Sequence, residues 1–252
     1  MPRQARERSR TGIYHLMLRG INKQNVFEED EDRQRFLETL GYYKAISGYR
    51  LYGYCLMNNH IHLLIGETGE SISQAIKRIS SSYVYWYNQK YNRCGHLFQE
   101  RFKSEVVETD AYFLIVLRYI HRNPIKAGII KDISNYFWSS YHEYVETPSN
   151  TDIDFALDMF AQDRLKAVTL FSSYTNEKNT DECLEYKQRI NITDQEVMKH
   201  LNELGIVGIN ELQSLERGQR DDALRKMKKI KGATIRQLAR LTGIPKSVID
   251  RT

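Results

Sequence analysis

Cysteine is scarce in this 252-residue sequence, and Cys55, Cys94 and Cys183 are odd in number and far apart. They build neither a disulfide framework nor a CxxC-type zinc site, so reduced thiols are expected. No apolar run approaches the ~20 residues that cross a bilayer, and no membrane partner is expected. The basic start, Met1 to Arg10, is not followed by an apolar signal-peptide core, which makes the cytoplasm the expected location. No internal repeat is present. What remains is a globular composition, 41% hydrophobic and 27% charged, long enough for one good core and a small second domain.

The net charge of +5 hides an asymmetry. Residues 217–252 hold 11 Lys/Arg against 3 Asp/Glu, residues 147–216 hold 6 against 13, and residues 1–146 hold 20 against 16. Two basic units thus flank an acidic spacer. Basic units suit a polyanion, because each neutralised phosphate releases counterions, although a solvated charged surface has the same composition.

The pattern predicts β-α-β-β-α-β followed by a further helix. Gly12–Gly20 alternates as a strand. Asp30 and Asp32 then open a helix, marked by Phe36, Leu40 and Tyr43, that ends near Gly48. Tyr49–Met57 and His60–Ile65 form a hairpin about Asn58-Asn59. Ser71 and Gln74 have capping-box spacing before a helix to about residue 90, and Phe98–Glu108 reads as a strand. Thr109 or Asp110 caps a third helix, expected to end near Asn123 because Pro124 disfavours helical dihedrals before it. The fold class is therefore α+β, a ferredoxin-like antiparallel sheet with helices on one face and a helical C-terminal region.

Three regions are expected: the ferredoxin-like domain over 1–146, an acidic, mostly helical spacer over 147–216, and a basic helix-turn-helix region over 217–252. In the last, Ala239 is small where two helices approach, Gly243 permits the turn and Ser247 starts an exposed face. Arg236, Arg240, Lys246 and Ser247 are its candidate DNA contacts, against the plainer reading of a helical hairpin packed on the chain.

Chemistry concentrates in two places. Side chains alternate along a strand, so His60 and His62 project together while Ile61 points to the core, and two imidazoles on one rigid strand can share a metal. An H-x-H pair alone also fits ordinary surface or core histidines. Tyr119 and Asn123, four apart, share a helix face. A tyrosine nucleophile, with a reference pKa of ~10, needs a cation to polarise the phosphate that it attacks. One tyrosine among 17 earns that role only in combination with the histidines.

These residues stand in a series of ordered motifs. They are Tyr14-His15 with Arg19-Gly20, Met57-Asn58-Asn59-His60-Ile61-His62-Leu63-Leu64, Phe98-Gln99-Glu100-Arg101-Phe102-Lys103, Tyr119-Ile120-His121-Arg122-Asn123-Pro124-Ile125-Lys126-Ala127-Gly128 and Trp138-Ser139-Ser140-Tyr141. Over roughly residues 10–145 the series resembles the single-tyrosine HUH transposases, in particular the REP-associated tyrosine transposase-like branch. The resemblance implies cleavage and rejoining of single-stranded DNA, hairpin-bearing strands included, with Tyr119 forming a 5′-phosphotyrosine link and leaving a free 3′-OH. It implies Mg²⁺ or Mn²⁺ on His60 and His62, Asn123 as a third ligand, and a homodimer formed through the sheet. Arg19, Gln99, Arg101, Lys103 and Arg122 lie beside the motifs and are candidate DNA contacts, each with a solvated or structural role as the alternative.

Three other readings compete. A domesticated, non-catalytic DNA-binding regulator keeps the fold without turnover. An RRM-like RNA binder shares the element order, but Phe98–Glu108 lacks the Gly-aromatic pattern and gives the histidines no role. A histidine-metal hydrolase lacks a further Asp or His closely after His62.

Overall fold

The computed structural model describes residues 6–185, 192–203, 205, 212, 214–230 and 232–252. The chain divides into two compact units, Met1–Glu185 and Tyr186–Thr252.

In the first unit, β1 (Ile13–Arg19), β2 (Arg50–Met57), β3 (His60–Gly66) and β4 (Lys103–Val106) form one sheet in the order β2-β3-β1-β4. Every neighbouring pair is antiparallel. With α1 (Asp30–Ser47) and α2 (Ile72–Lys90) as the crossovers, this is the ferredoxin-like arrangement. Alternation along the strands splits the core in two. Leu16, Leu18, Leu56, Ile61 and Leu63 pack with α1 and α2 on one face. Cys55, Met57 and Leu64 pack on the other face with α3 (Asp110–Lys126), α4 (Tyr141–Val145) and α6 (Arg164–Asn176). Helices therefore cover both faces, where the sequence pattern placed them on one, because α3 carries its own apolar stripe of Phe113, Val116, Leu117 and Ile120.

Local chemistry fixes the ends of these elements. Glu29 and Asp32 form a capping box at α1, and the buried Asp32 carboxylate also takes Lys90 of α2 and Tyr91 just after it, joining the two helices. Gly48 closes α1 at φ +70°, a left-handed conformation that glycine adopts without strain. Ser71 does not cap α2 as its spacing predicts, since its hydroxyl bonds the Gln74 side chain and Glu67 accepts from Ile72 N instead. Thr109 does cap α3, accepting from Tyr112 N.

Two boundaries differ from the sequence reading. The fourth strand shrinks to Lys103–Val106, with Phe98 reduced to a single bridge to Gly20, because β1 offers a ladder only from Tyr14 to Met17. Helix α3 runs through Pro124 to Lys126. Proline deletes one N–H, but the next turn resumes with Ala127 N donating to Asn123 O and Gly128 N to Ile125 O.

Packing also continues past residue 146, up to Glu185. The buried Glu143 carboxylate explains the first step: it accepts from the backbone N–H groups of Ser149, Asn150 and Thr151 and from Tyr54 Oη, all at 2.8 Å. Asp152 then pairs with the backbone of Leu51, and Trp138 and Ser140 pair with Leu56 and Tyr54. The chain thereby covers its own β2 edge, so a homodimer formed through the sheet would have to use another surface. After α5 (Asp154–Asp158), Ala167 and Phe171 of α6 complete the core under α3.

The second unit holds α7 (Asp194–Glu203), α8 (Arg217–Lys228), α9 (Ile235–Thr242) and α10 (Lys246–Arg251). Val197, Leu224, Met227, Leu238 and Ile249 form its core. Thr234 caps α9, and Gly243, at φ +67°, ends it before Ile244-Pro245 leads into α10. No helix among the described residues is long and apolar enough to cross a membrane.

Candidate active site

Strand β3 carries His60 and His62 on the face that α3 covers, and one helix turn carries Tyr119 and Asn123 against them. Asn123 bridges the two imidazoles. Its Oδ1 lies 3.3 Å from His60 Nε2 and its Nδ2 lies 3.3 Å from His62 Nε2. The Tyr119 ring meets His62 edge-on at a centroid distance of 5.8 Å. Pro124 does not turn Asn123 away from the pair, because the helix persists to Lys126.

Hydrogen bonding sets the tautomers. Asn59 Nδ2 donates to Lys23 O, leaving Asn59 Oδ1 to accept from His60 Nδ1 at 2.7 Å. His60 Nε2 is then a lone pair facing a second acceptor, Asn123 Oδ1. On the buried side, Asn123 Nδ2 donates to His62 Nε2, so His62 Nδ1–H donates to His15 Nε2 at 2.9 Å. The remaining His15 proton, on Nδ1, points toward Glu105 Oε2 at 3.5 Å. Burial holds His60 at about 4, against an ordinary 6.5, and His62 well below its ordinary value, so both are neutral at neutral pH. Burial lowers His15 too, against the pull of Glu105.

This donor set fits a divalent cation. The facing acceptors His60 Nε2 and Asn123 Oδ1 are a repulsive pair that a cation between them relieves, and the His62 Nε2 lone pair, which here accepts from Asn123 Nδ2, can join them once that amide N–H moves aside. Few ligands of modest strength suit a labile ion rather than a closed structural site. Among the described residues no cluster of three His, Cys, Asp or Glu side chains could hold a metal, and the third candidate donor here is the Asn123 amide.

Tyr119 is buried, and its hydroxyl donates to Glu185 Oε1 at 2.7 Å. Burial, then the Glu185 carboxylate, push its pKa well above 10. Lys126 Nζ reaches the same Glu185 oxygen at 2.6 Å and lies 5.0 Å from the centre of the Tyr119 ring.

The candidate DNA contacts divide. Arg19 pairs in register with His60, and Gln99 N donates to Arg19 O, so both reach the His60 end of the sheet. Lys103 lies on edge strand β4. Gln99 and Arg101 are exposed and line a groove of about 780 Å³ with Arg6, Lys77 and Tyr85 of α2, apart from Tyr119. Arg122 is used internally, donating to the carbonyls of Thr175 and Asn176 at the end of α6. In the second unit Arg236, Lys246 and Ser247 are exposed, whereas Arg240 is paired with Asp194 of α7 at 2.7 Å. Four residues that the sequence reading did not single out complete the constellation: His15, Glu105, Lys126 and Glu185. His15 and Lys126 sit inside the quoted motifs, and only their contacts reveal what they do.

Residues 9–123 match the family described as Transposase IS200 like. The resemblance drawn from the motifs is thus shown for this stretch, and the C-terminal unit lies outside it. A REP-associated tyrosine transposase of Haemophilus influenzae, itself named as putative, is 26% identical over 104 residues. That match covers 36% of this chain and 58% of the relative, so the chain spans little more than half of that protein's length. The fold is shared with a solved REP-associated tyrosine transposase bound to a REP hairpin, at a TM-score of 0.52 and 16% identity over 61% of this chain and 96% of that one.

Proposed function

We propose that this protein cleaves and rejoins single-stranded DNA, with Tyr119 as nucleophile, as a transposase of the single-tyrosine HUH type. The observation that carries the reading is the placement of Tyr119 and Asn123, one turn apart on α3, directly against His60 and His62. Tyr119 Oη forms a bond to phosphorus as the bond to the 3′ oxygen breaks, giving a 5′-phosphotyrosine and a 3′-OH that takes up a proton. Rejoining is the reverse attack by a 3′-OH, so no external energy source is needed.

His60, His62 and Asn123 would hold Mg²⁺ or Mn²⁺, which when bound supplies Lewis-acid polarisation of the phosphate. Asn59 and His15 fix the rings so that both Nε2 lone pairs face inward. Burial under α3 keeps bulk water from competing with the tyrosine. The structural neighbour's REP hairpin makes hairpin-bearing single strands the first substrates to test, and the basic residues of 217–252 are proposed to contact nearby DNA.

The test is a denaturing gel of purified protein with end-labelled single strands taken from DNA flanking its own gene, with and without Mn²⁺. A metal-dependent covalent adduct that disappears in Tyr119→Phe and in His60→Ala supports the reading. Tight binding with no adduct on any such DNA overturns it in favour of a non-catalytic DNA-bound regulator.

A further inference from the structure

Among the described residues Phe137 is the most exposed aromatic side chain, with 75% of its surface open to solvent. Tyr42 and Tyr85 come next, but each ends in a hydroxyl that water satisfies, and phenylalanine has no such polar end. The ring is nevertheless held in place. It lies on the imidazole of His142 with 5.2 Å between the ring centres and 13° between the planes. His142 belongs to α4, its side chain is mostly buried, and its Nδ1–H donates to Glu146 Oε1 at 3.2 Å. One face of Phe137 is therefore backed by an anchored ring, and the opposite face is left to solvent.

The residues on either side of Phe137 both hold Leu56. Tyr136 Oη donates to Leu56 O at 2.7 Å, and Leu56 N donates to Trp138 O at 2.8 Å. Phe137 is thereby fixed beside the end of β2, where the next residue, Met57, pairs in register with His60. Two strand spacings put the Phe137 backbone about 10 Å from that of His60, at the rim of the candidate site. A bare, pre-ordered aromatic face suits another flat ring. Base–aromatic stacking needs no particular base, and a side chain already ordered by its neighbour loses little freedom on binding.

Resting on the reading of this site as one that takes single-stranded DNA, we propose that Phe137, held on His142, is a stacking platform for an unpaired base next to the phosphodiester at the histidines. The platform grips the strand by a base and not by its charge, and it accepts every base because each has a flat face. Phe137 makes no contact with the reacting atoms. Its part is to hold the flanking nucleotide, which excludes paired bases at that position because a base inside a duplex has no free face to offer.

The experiment measures binding to the full chain by anisotropy, in chelator so that no strand is cut. Two fluorescein-labelled probes are used: a short mixed-sequence single strand, and an abasic strand of equal length that carries the same phosphates without bases. The proteins are wild type, Phe137→Ser and Phe137→Trp, and the side chain is exposed enough that the fold is retained. Phe137→Ser is expected to weaken binding of the base-bearing strand about tenfold, the worth of one stacked base. The salt dependence should keep its slope, because no phosphate contact is lost, and the abasic strand should bind as it does to wild type. Phe137→Trp should bind the base-bearing strand at least as tightly as wild type. No loss in Phe137→Ser, equal losses on both probes, a shallower salt slope, or failure of the tryptophan variant to match wild type each overturns the proposal. Adduct formation with Mn²⁺ is scored separately. If the base-dependent loss appears but no protein forms an adduct, the platform stands and the catalytic reading falls; adducts without that loss give the converse.

Discussion

His15 Nε2 and His62 Nδ1 lie 2.9 Å apart in the buried interior between β1 and β3, which makes His15 the orienting partner of a proposed metal ligand. Such partners fix ring orientation and raise ligand basicity. His15→Phe is expected to lower Mn²⁺ affinity about 10–100-fold by calorimetry, in the range seen for outer partners of metal ligands. The His62 imidazole nitrogens should also lose the Nδ1–H tautomer in long-range ¹⁵N NMR spectra. Unaltered affinity would remove His15 from the site.

Cation removal gives a second check. With excess chelator, adduct formation should drop to background and return on adding Mn²⁺ or Mg²⁺, because neutral imidazoles alone place no positive charge on the phosphate. Full activity in chelator would contradict the assignment of His60, His62 and Asn123.

Glu143 supports the fold rather than the chemistry. Glu143→Ala leaves three backbone N–H groups and Tyr54 Oη without their acceptor, and should cost about 3 kcal/mol. Urea unfolding should show a lower midpoint with an unchanged slope.

Stability should depend on acid in a defined sense. Burial lowers His15 and His62, His60 to about 4 and His121 to about 3, all from an ordinary 6.5. Each histidine binds its proton less readily folded than unfolded. Their contribution is therefore complete above about pH 6.5 and is lost progressively as pH falls toward 4 and 3. Unfolding midpoints measured between pH 7.5 and 4.5 should fall steadily with acid; a flat profile would show that these rings become charged without cost.

Removing residues 217–252 deletes 11 basic and 3 acidic side chains. DNA affinity and the steepness of its salt dependence should both decline, while adduct formation on a saturating short oligonucleotide stays near wild type. Arg240→Ala alone should change the salt slope little, because its charge is already balanced by Asp194. An unchanged slope on deletion would exclude this region from phosphate contact.

The sheet and its crossover helices were legible because their signals are local: alternation, i, i+4 stripes and a capping threonine. That His60 and His62 share one face, and Tyr119 and Asn123 another, was legible for the same reason, each pair falling within four residues. What the sequence concealed is set by distant contacts. His15 gains its part from His62, 47 residues away, and Tyr119 meets Glu185 across 66 residues, inside a stretch whose composition reads only as an acidic spacer. The unit's extension to Glu185 was hidden likewise, since Glu143 acts by collecting the three N–H groups of a loop whose composition reads as a boundary. Pro124 misled because the preference against helix before proline is a local rule that packing on both sides of α3 overrides.

Gly53 stands where β2 passes under α3, and a β-carbon there would meet Leu117 Cδ1 at 2.7 Å. The imidazoles belong to the sheet, whereas Tyr119, Asn123 and Lys126 belong to the helix, so the candidate site is assembled from two elements with Gly53 as the shim between them. Adding one methyl group at this point would force the buried Leu117 side chain to give way, and whatever part of that shift passes to the helix moves its groups together relative to the histidines. A residue that belongs to none of the candidate site's groups thus helps set the spacing between its two halves.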